Sequence, residues 1–290
     1  IKMIDIIIPT RNRANTLKLV LPTYLNQKLL GKIIIIDDAS DEENEQSMQK
    51  LIRNNPEIIY KRFDQRIFTS QARNEGIKLS NADYIFMGED DVFLEEDHLK
   101  ILFEEIQEYN ADLIAGRRIY IKLNQNFEEA KKIANEDKRP IFTRLPFEGY
   151  FERFFEKDII DAPFLHSNSL IKRDVYNKVL YDPIYKGNAF REDLDFFLGC
   201  KREGFKMVLT NKTACYHLKD KLNTVGGARM KRYKYEYWVW RNTIHCFSKN
   251  KKVLKEKYNF KNPLMFAIFS LIYRYPYAFY RRLIWKIKKS

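Results

Sequence analysis

The sequence predicts an α/β fold, a mostly parallel sheet flanked by helices, followed by a basic and aromatic helical extension. Short apolar runs alternate with segments whose apolar residues recur at helical spacing, and several of the runs end in clustered acids. Strands buried on both faces read as unbroken apolar stretches, and strand–helix alternation marks parallel sheets whose ligands lie beyond the carboxyl ends of the strands. After His217 the chain changes character, with Tyr233, Tyr235, Tyr237, Trp238 and Trp240 set among Lys and Arg.

Ile4 to Ile8 is apolar around Asp5 and stops at Pro9-Thr10, and Asn15 to Gln27 follows with helical spacing through Leu17, Val20, Leu21 and Leu25. Ile33 to Ile36 is a second strand ending in Asp37-Asp38-Ala39-Ser40-Asp41, with a polar helix over Glu42 to Asn54. Ile58 to Arg62 reads as a third strand, and Ser70 to Ser80 as a helix with Ala72, Ile77 and Leu79 inward. Tyr84 to Met87, a helix over His98 to Tyr109 and a strand over Asp112 to Gly116 continue the alternation. The pattern weakens from Arg117 to about Asp158, a charged and aromatic connection with a helix over Phe127 to Asp137. It returns with Phe164 to Lys172, helices over Arg173 to Val179 and Glu192 to Glu203, and short strands at Met207 to Leu209 and Ala214 to His217. No Gly, Ser or Pro-rich linker interrupts this, so residues 1–220 read as one catalytic domain, with halves of about 1–116 and 117–220, and 221–290 as the extension.

A chain of 290 residues with 45% hydrophobic content can bury a substantial core. Cys200, Cys215 and Cys246 are odd in number and widely spaced, which argues against a disulfide framework or zinc site and for a reducing cytoplasm. No basic, apolar and cleavage-site pattern of a secretion signal is expected at IKMID. A net charge of +13 implies an anionic partner: nucleic acid, acidic lipid or a phosphorylated substrate.

The stretch YIFMGEDDVFL at 84–94 places Glu89, Asp90 and Asp91 side by side where a buried strand ends. Acids so placed repel one another and lose solvation unless a cation sits among them, and a divalent metal such as Mg²⁺ or Mn²⁺ prefers carboxylate and phosphate oxygens. The structural alternative is an acidic turn that caps the helix starting near Glu95. ARNEGI at 72–77 leads to these acids, and three further constellations stand in order around them: PTRNR at 9–13, DDAS at 37–40, and REDLDFFLGCKREGF at 191–205 followed by His217. Each alone also fits a structural role, with Asp38 or Ser40 capping a helix, Arg73 in a surface ion pair, Asp193 as a first-turn acid and His217 as a partly buried histidine.

Taken together, this order and spacing over residues 3–218, with HSNSLIKRDVYNKVL at 166–180, resembles the family 2 glycosyltransferases of the GT-A fold. The resemblance implies an inverting, metal-dependent enzyme that uses a nucleotide-diphosphate sugar, with a uridine nucleotide favoured by the family's habits. By that likeness Pro9, Thr10, Arg11, Arg13 and Asp38 line the nucleotide pocket, Asp38 accepting an imide N–H, with Arg73 beside them or supporting the sheet edge. Glu89 and Asp90 approach the ribose or a metal-bound water, and Asp91 with His217 holds Mn²⁺ or Mg²⁺. Glu89 replaces the family's usual Asp, which bears on metal geometry and the ribose contact. Asp193 matches the catalytic base, which takes the proton of an acceptor hydroxyl as that oxygen attacks the anomeric carbon. Glu192 orients the acceptor or Asp193, and Asp195 reads as a capping or solvent residue. Sugar and acceptor specificity falls to residues 117–165 and to His166 to Ser169.

Arg229, Lys231 and Arg232 follow Gly226-Gly227 and read either as a lid over the diphosphate or as a basic helix start facing water. The apolar run Leu264 to Tyr273 is too short to span a bilayer. It fits an amphipathic helix at an anionic membrane surface, or an extension packed on the domain. A glycan or lipid-linked acceptor joins the enzyme and membrane readings into a peripheral protein of the cytoplasmic face. The alternative is a basic protein that binds nucleic acid or anionic membrane without transferase activity; it explains the tail but not acids at successive strand ends. A sugar nucleotidyltransferase or dehydrogenase is disfavoured because PTRNRAN contains no glycine-rich loop.

Overall fold

The structure, a computed structural model, describes residues 3–53, 55–122, 124–144, 147–219 and 230–274. The first half runs β1 (Ile4–Thr10), α1 (Ala14–Leu25), β2 (Leu30–Asp37), α2 (Glu42–Ile52), β3 (Ile58–Arg62), α3 (Phe68–Leu79), β4 (Tyr84–Met87), β5 (Val92–Leu94), α4 (His98–Glu108) and β6 (Leu113–Ile121). It continues through α5 (Phe127–Asn135), β7 (Phe142–Thr143), β8 (Glu148–Gly149), β9 (Ile159–Asp161), β10 (Ser169–Lys172), α6 (Arg173–Tyr176), α7 (Glu192–Arg202), β11 (Met207–Leu218), α8 (Arg232–Lys249) and α9 (Lys251–Tyr258). A further helical segment covers residues 263–274.

The main sheet has the order β3-β2-β1-β4-β10-β6-β11-β5, with β9 also on β11. β1, β2, β3 and β4 pair in parallel, as do β6 and β11. β10 is antiparallel to both β4 and β6, so β6 and β11 point the same way as β4. The carboxyl ends of β1, β2, β4, β6 and β11 therefore share one edge, as the alternation of the sequence predicts. β5 and β9 run against β11.

Alternate residues of each strand enter separate cores. Ile7, Ile34, Ile36, Ile85 and Met87 pack with residues of α3, α6 and α7 on one face. Ile6, Ile8, Ile33, Ile35 and Phe86 pack with α1 and α4 on the other. Helices on both faces explain why these strands lack polar alternation.

The sheet departs from the predicted strands at its second half. β6 extends past Gly116 to Ile121, its charged pair Arg117-Arg118 having hidden the continuation. The two strands expected at 207–217 are one strand with an irregularity: Leu209 lies opposite Ala115 but Ala214 opposite Arg117. The looped-out backbone crosses Gly116, where a Cβ would lie 2.7 Å from the Thr213 carbonyl oxygen. The acidic turn at 89–91, for which the alternative reading is a cap on a helix near Glu95, leads into β5, three residues that pair with the end of β11, and α4 starts only at His98.

α8 and α9 pack on α7. Asp195, expected as a capping or solvent residue, is buried and accepts from Lys249 Nζ (2.6 Å) and Asn250 Nδ2 (2.5 Å). Among the described residues no helix is long and apolar enough to cross a membrane.

His98, fully buried at the start of α4, holds its Nδ1 2.8 Å from Thr213 Oγ1. Burial pushes its imidazole down to about 4, whereas a histidine in the unfolded chain titrates at about 6.5. The unfolded state therefore takes up a proton that the folded state refuses, and stability is lost as pH falls from the unfolded value toward the folded one. Urea unfolding at pH 7 and pH 5 is expected to show a loss about 2 kcal/mol smaller in His98→Gln than in the native chain.

Candidate active site

The acidic turn is built by two strands. β4 ends at Met87, and Gly88 follows where a Cβ would lie 2.9 Å from Ile8 Cγ1 and 3.0 Å from the Tyr24 ring. Glu89, Asp90 and Asp91 then form the turn into β5, where Val92 lies opposite His217 of β11. That pairing delivers Asp91 to the histidine: His217 Nε2 is 3.4 Å from Asp91 Oδ1, and Leu218 N donates to the Asp91 carbonyl at 2.9 Å.

Arginines from neighbouring strand ends offset the buried charge. Arg13 Nη1 donates to Asp90 Oδ1 at 2.8 Å and to Asp91 Oδ2 at 2.9 Å, while Thr10 Oγ1 donates to Asp90 Oδ2 at 2.8 Å. Glu89 accepts from Arg118 Nη2 and from Ser167 Oγ, each at 2.7 Å. Burial lifts the Asp90 carboxyl to about 6 against the pull of Arg13. Burial pushes Asp91 the same way, but the His217 hydrogen bond and the charges of His217 and Arg13 outweigh it and hold that carboxyl at about 2. In Glu89 burial is likewise outweighed, chiefly by Arg118, and the carboxyl sits below its usual range.

Glu89, Asp91 and His217 each offer a ligand atom, and these atoms lie within 4.8 Å of one another. Two carboxylates with an imidazole suit Mn²⁺ or Mg²⁺, and the buried His217 Nδ1 has no hydrogen-bond partner among the described residues. The donor set therefore fits a divalent ion, with Glu89 joining the two residues expected from the sequence.

A cavity of about 700 Å³ opens over these acids at the carboxyl edge of the sheet. Pro9, Thr10, Arg11, Arg13 and Asp38, named from the sequence as nucleotide-pocket residues, are among those that line it. Asp38 is heavily committed: Ile67 N and Phe68 N donate to Oδ1 at 2.5 and 3.0 Å, and Arg66 Nε to Oδ2 at 2.7 Å. A carboxylate accepts about four hydrogen bonds, so roughly one site is left for a base. Asp37, its neighbour, is structural, accepting from Ser40 N and the Tyr60 hydroxyl.

Asp193 and Glu192 also line the cavity, at the start of α7, whose first turn holds Glu192, Asp193 and Asp195. Asp193 is half-buried and accepts from Leu194 N at 2.8 Å. Glu192 is buried against Arg73 Nη1 and accepts from Ser70 Oγ at 3.1 Å. Burial raises its carboxyl to about 7 in spite of Arg73. Arg73, 3% exposed, thus spends its charge on Glu192, with Glu89 at 3.8 Å and the Tyr181 ring alongside. Arg73, expected near the nucleotide or supporting the sheet edge, lines the cavity between Glu89 and Glu192.

The loop before α7 turns through left-handed backbone, with φ of 71° at Gly187, which glycine adopts freely, and of 51° at Ala189 and 72° at Arg191, where it is strained. α8 braces it: a Cβ on Gly187 would meet the Trp238 ring at 2.3 Å, and Asn188 Nδ2 donates to the Tyr235 carbonyl at 3.2 Å. Lys231 and Arg232 stand exposed at the start of α8 and do not line the cavity, while Arg229 and Gly226-Gly227 lie outside the described residues. Arg66 is a cavity residue that the sequence did not single out, while Arg118 and Ser167, within the ranges expected to set sugar and acceptor specificity, line the cavity and hold Glu89. Arg118 carried one legible signal, a cation where other strands of the sheet end in acids.

Residues 5–180 match the model of Glycosyl transferase family 2, and the chain belongs to that family. The acid pair at 192–193 and His217 lie beyond the matched residues. Over 120 residues the chain is 30% identical to the poly(ribitol-phosphate) beta-N-acetylglucosaminyltransferase TarP of Staphylococcus aureus strain N315, covering 40% of this chain and 36% of that one. It is 25% identical over 124 residues to the glycosyltransferase GlyA of Streptococcus pneumoniae serotype 4, covering 42% of this chain and 17% of that one. These alignments span about a third or less of the relatives' length. The fold is similar to that of S. aureus TarS residues 1–349 solved with UDP-GlcNAc, at a TM-score of 0.58 and 12% identity over 88% of this chain and 71% of that one.

Arg73→Met would leave Glu192 buried without its guanidinium and is expected to lower stability by about 3 kcal/mol. Adding Glu192→Met should restore most of it; thermal unfolding of both variants would decide whether Arg73 serves the acid pair. Gly187→Ala, strained by φ and blocked by Trp238, is expected to lower the melting temperature without changing Asp91 or His217.

Proposed function

We propose that the chain is an inverting glycosyltransferase that moves a sugar from a nucleotide diphosphate to a hydroxyl of a glycan or lipid-linked acceptor. The observation that carries this is the convergence on one cavity of the nucleotide-side loop, the Glu89, Asp91 and His217 group and Asp193. Uridine diphosphate sugars are the favoured donors, supported by the TarS structures with UDP and UDP-GlcNAc and by the acceptor site left on Asp38. We further propose a catalytic domain through about residue 220, working in the cytoplasm; the buried, unpaired Cys200, Cys215 and Cys246 support a reducing compartment.

In this reading Thr10, Arg11, Arg13 and Asp38 hold the nucleotide, and Glu89, Asp91 and His217 hold Mn²⁺ or Mg²⁺. When bound, the ion supplies Lewis-acid stabilisation of the negative charge that grows on the departing diphosphate. Asp193 takes the proton from the acceptor hydroxyl as that oxygen forms its bond to the anomeric carbon and the bond from that carbon to the diphosphate oxygen breaks. Glu192, tied by Arg73 and Ser70, fixes the first turn of α7 so that Asp193 faces the cavity. Ser167 and Arg118 fix Glu89, whose extra methylene relative to aspartate lets its carboxylate reach both partners.

Calorimetry of UDP, dTDP, GDP and ADP with Mn²⁺ or EDTA tests the donor site. One nucleotide is expected to bind, and binding should fail with EDTA and in Asp91→Ala; no metal-dependent binding of any of them would overturn the reading. Asp193→Asn should keep nucleotide binding but lower turnover about 10³-fold, the scale of a lost general base. Equal loss of binding and turnover would assign Asp193 to the donor site instead.

A further inference from the structure

We propose that the helical segment over residues 263–274 is a membrane-docking face that seats on the surface of an anionic lipid bilayer. Asn262 opens it by accepting from Met265 N at 3.2 Å, and Pro263 occupies the first helical position. Its inner face is packed: Ala267, Ser270 and Leu271 are buried, and the Phe266 ring lies 5.8 Å from Phe247 and 4.4 Å from Phe260. Its outer face is bare and apolar. Leu264 (40%), Met265 (51%), Ile268 (40%), Phe269 (58%) and Ile272 (54%) are exposed at spacings that set them in one stripe. The packed extension and the membrane helix, alternatives in the sequence, are thus the two sides of one segment.

A contiguous stripe of this kind marks an interaction surface. Charge selects the occupant. Residues 251–274 contain Lys251, Lys252, Lys255, Lys257, Lys261 and Arg274 against the one acid Glu256, and Lys251, Lys252, Lys255 and Lys257 are exposed on α9. A second copy of the chain would bring the same excess of cations and be repelled. An anionic bilayer offers what the face lacks, negative headgroups around an apolar interior, and a segment too short to span it can lie in its interface.

The face is fixed to the cleft. Phe247 meets Phe147, a cavity residue, at 6.2 Å, and α8, which carries Phe247, holds the Gly187 to Arg191 loop through Trp238 and Asn188. Docking would therefore set the cleft at a fixed position above lipid. The surface stands on exposure and charge, independently of the reaction assigned to the cleft.

Flotation of the full chain with phosphatidylcholine vesicles, alone or containing phosphatidylglycerol, tests this, with Ile268→Ser/Phe269→Ser as the variant. Binding is expected only to the anionic vesicles and should fall about tenfold or more in the variant, given the apolar area withdrawn, at an unchanged melting temperature. Anionic-vesicle binding equal in variant and native chain would assign it to charge alone and overturn the docking face. No vesicle binding would also overturn it, and a sedimentation mass that rises with concentration in the native chain but not in the variant would then make the partner a second copy.

Discussion

Buried negative charge is what this structure is organised around. Glu89, Asp90, Asp91 and Glu192 are withdrawn from water at one edge of the sheet, and such a group of carboxylates is unstable unless cations are fixed among them. Arg13, Arg73 and Arg118 do this from the loop after β1, from α3 and from β6, so three separate elements are held to one another through the site. The environments divide the acids: burial keeps Asp90 and Glu192 close to protonation, while Asp91 stays ionised. A cluster that distinguishes its members in this way can hold a cation at one point and leave the rest as scaffold.

β1, β2 and β4 were legible because each holds an apolar run bounded by turn residues and buried on both faces; β3, half-buried at the sheet edge, was read over Ile58 to Arg62. The second half was less so, for identifiable reasons. Arg117 and Arg118 interrupt the apolar pattern of β6 although they serve the core and the site, and their partners, Asn135 and the Glu152 carbonyl for Arg117 and Glu89 for Arg118, lie elsewhere in the sequence. β5 is three residues long and could not be told from a helix cap, since its strand character comes from β11. The pairing of Glu192 with Arg73 was also invisible, because it depends on how α7 lands against α3. The residue types of the site could be read; their partners could not.

The C-terminal helices illustrate a different limit. Their composition suggested either a membrane element or ordinary packing, and periodicity alone cannot separate two faces of one helix when both are apolar. Burial separates them: Leu271 and Ala267 are covered, Phe269 and Ile272 are not. α8 is also part of the framework of the cleft, through Trp238 over Gly187 and Lys249 on Asp195. A deletion of the extension would therefore strip support from the acid loop as well as remove a surface.

The irregularity in β11 bears on how such a site can drift over generations. Between Leu209 and Ala214 the strand carries more residues than β6 offers opposite it, and only beyond that point does the register place His217 beside Asp91. Side chains alternate along a strand, so a one-residue slip in the last stretch would turn the histidine to the far face. The looped-out segment is no free spacer, however: Thr210 and Thr213 are buried, and Thr213 Oγ1 meets both His98 and Glu95. A change of length there would have to keep those bonds as well as the final register if the histidine is to hold its place.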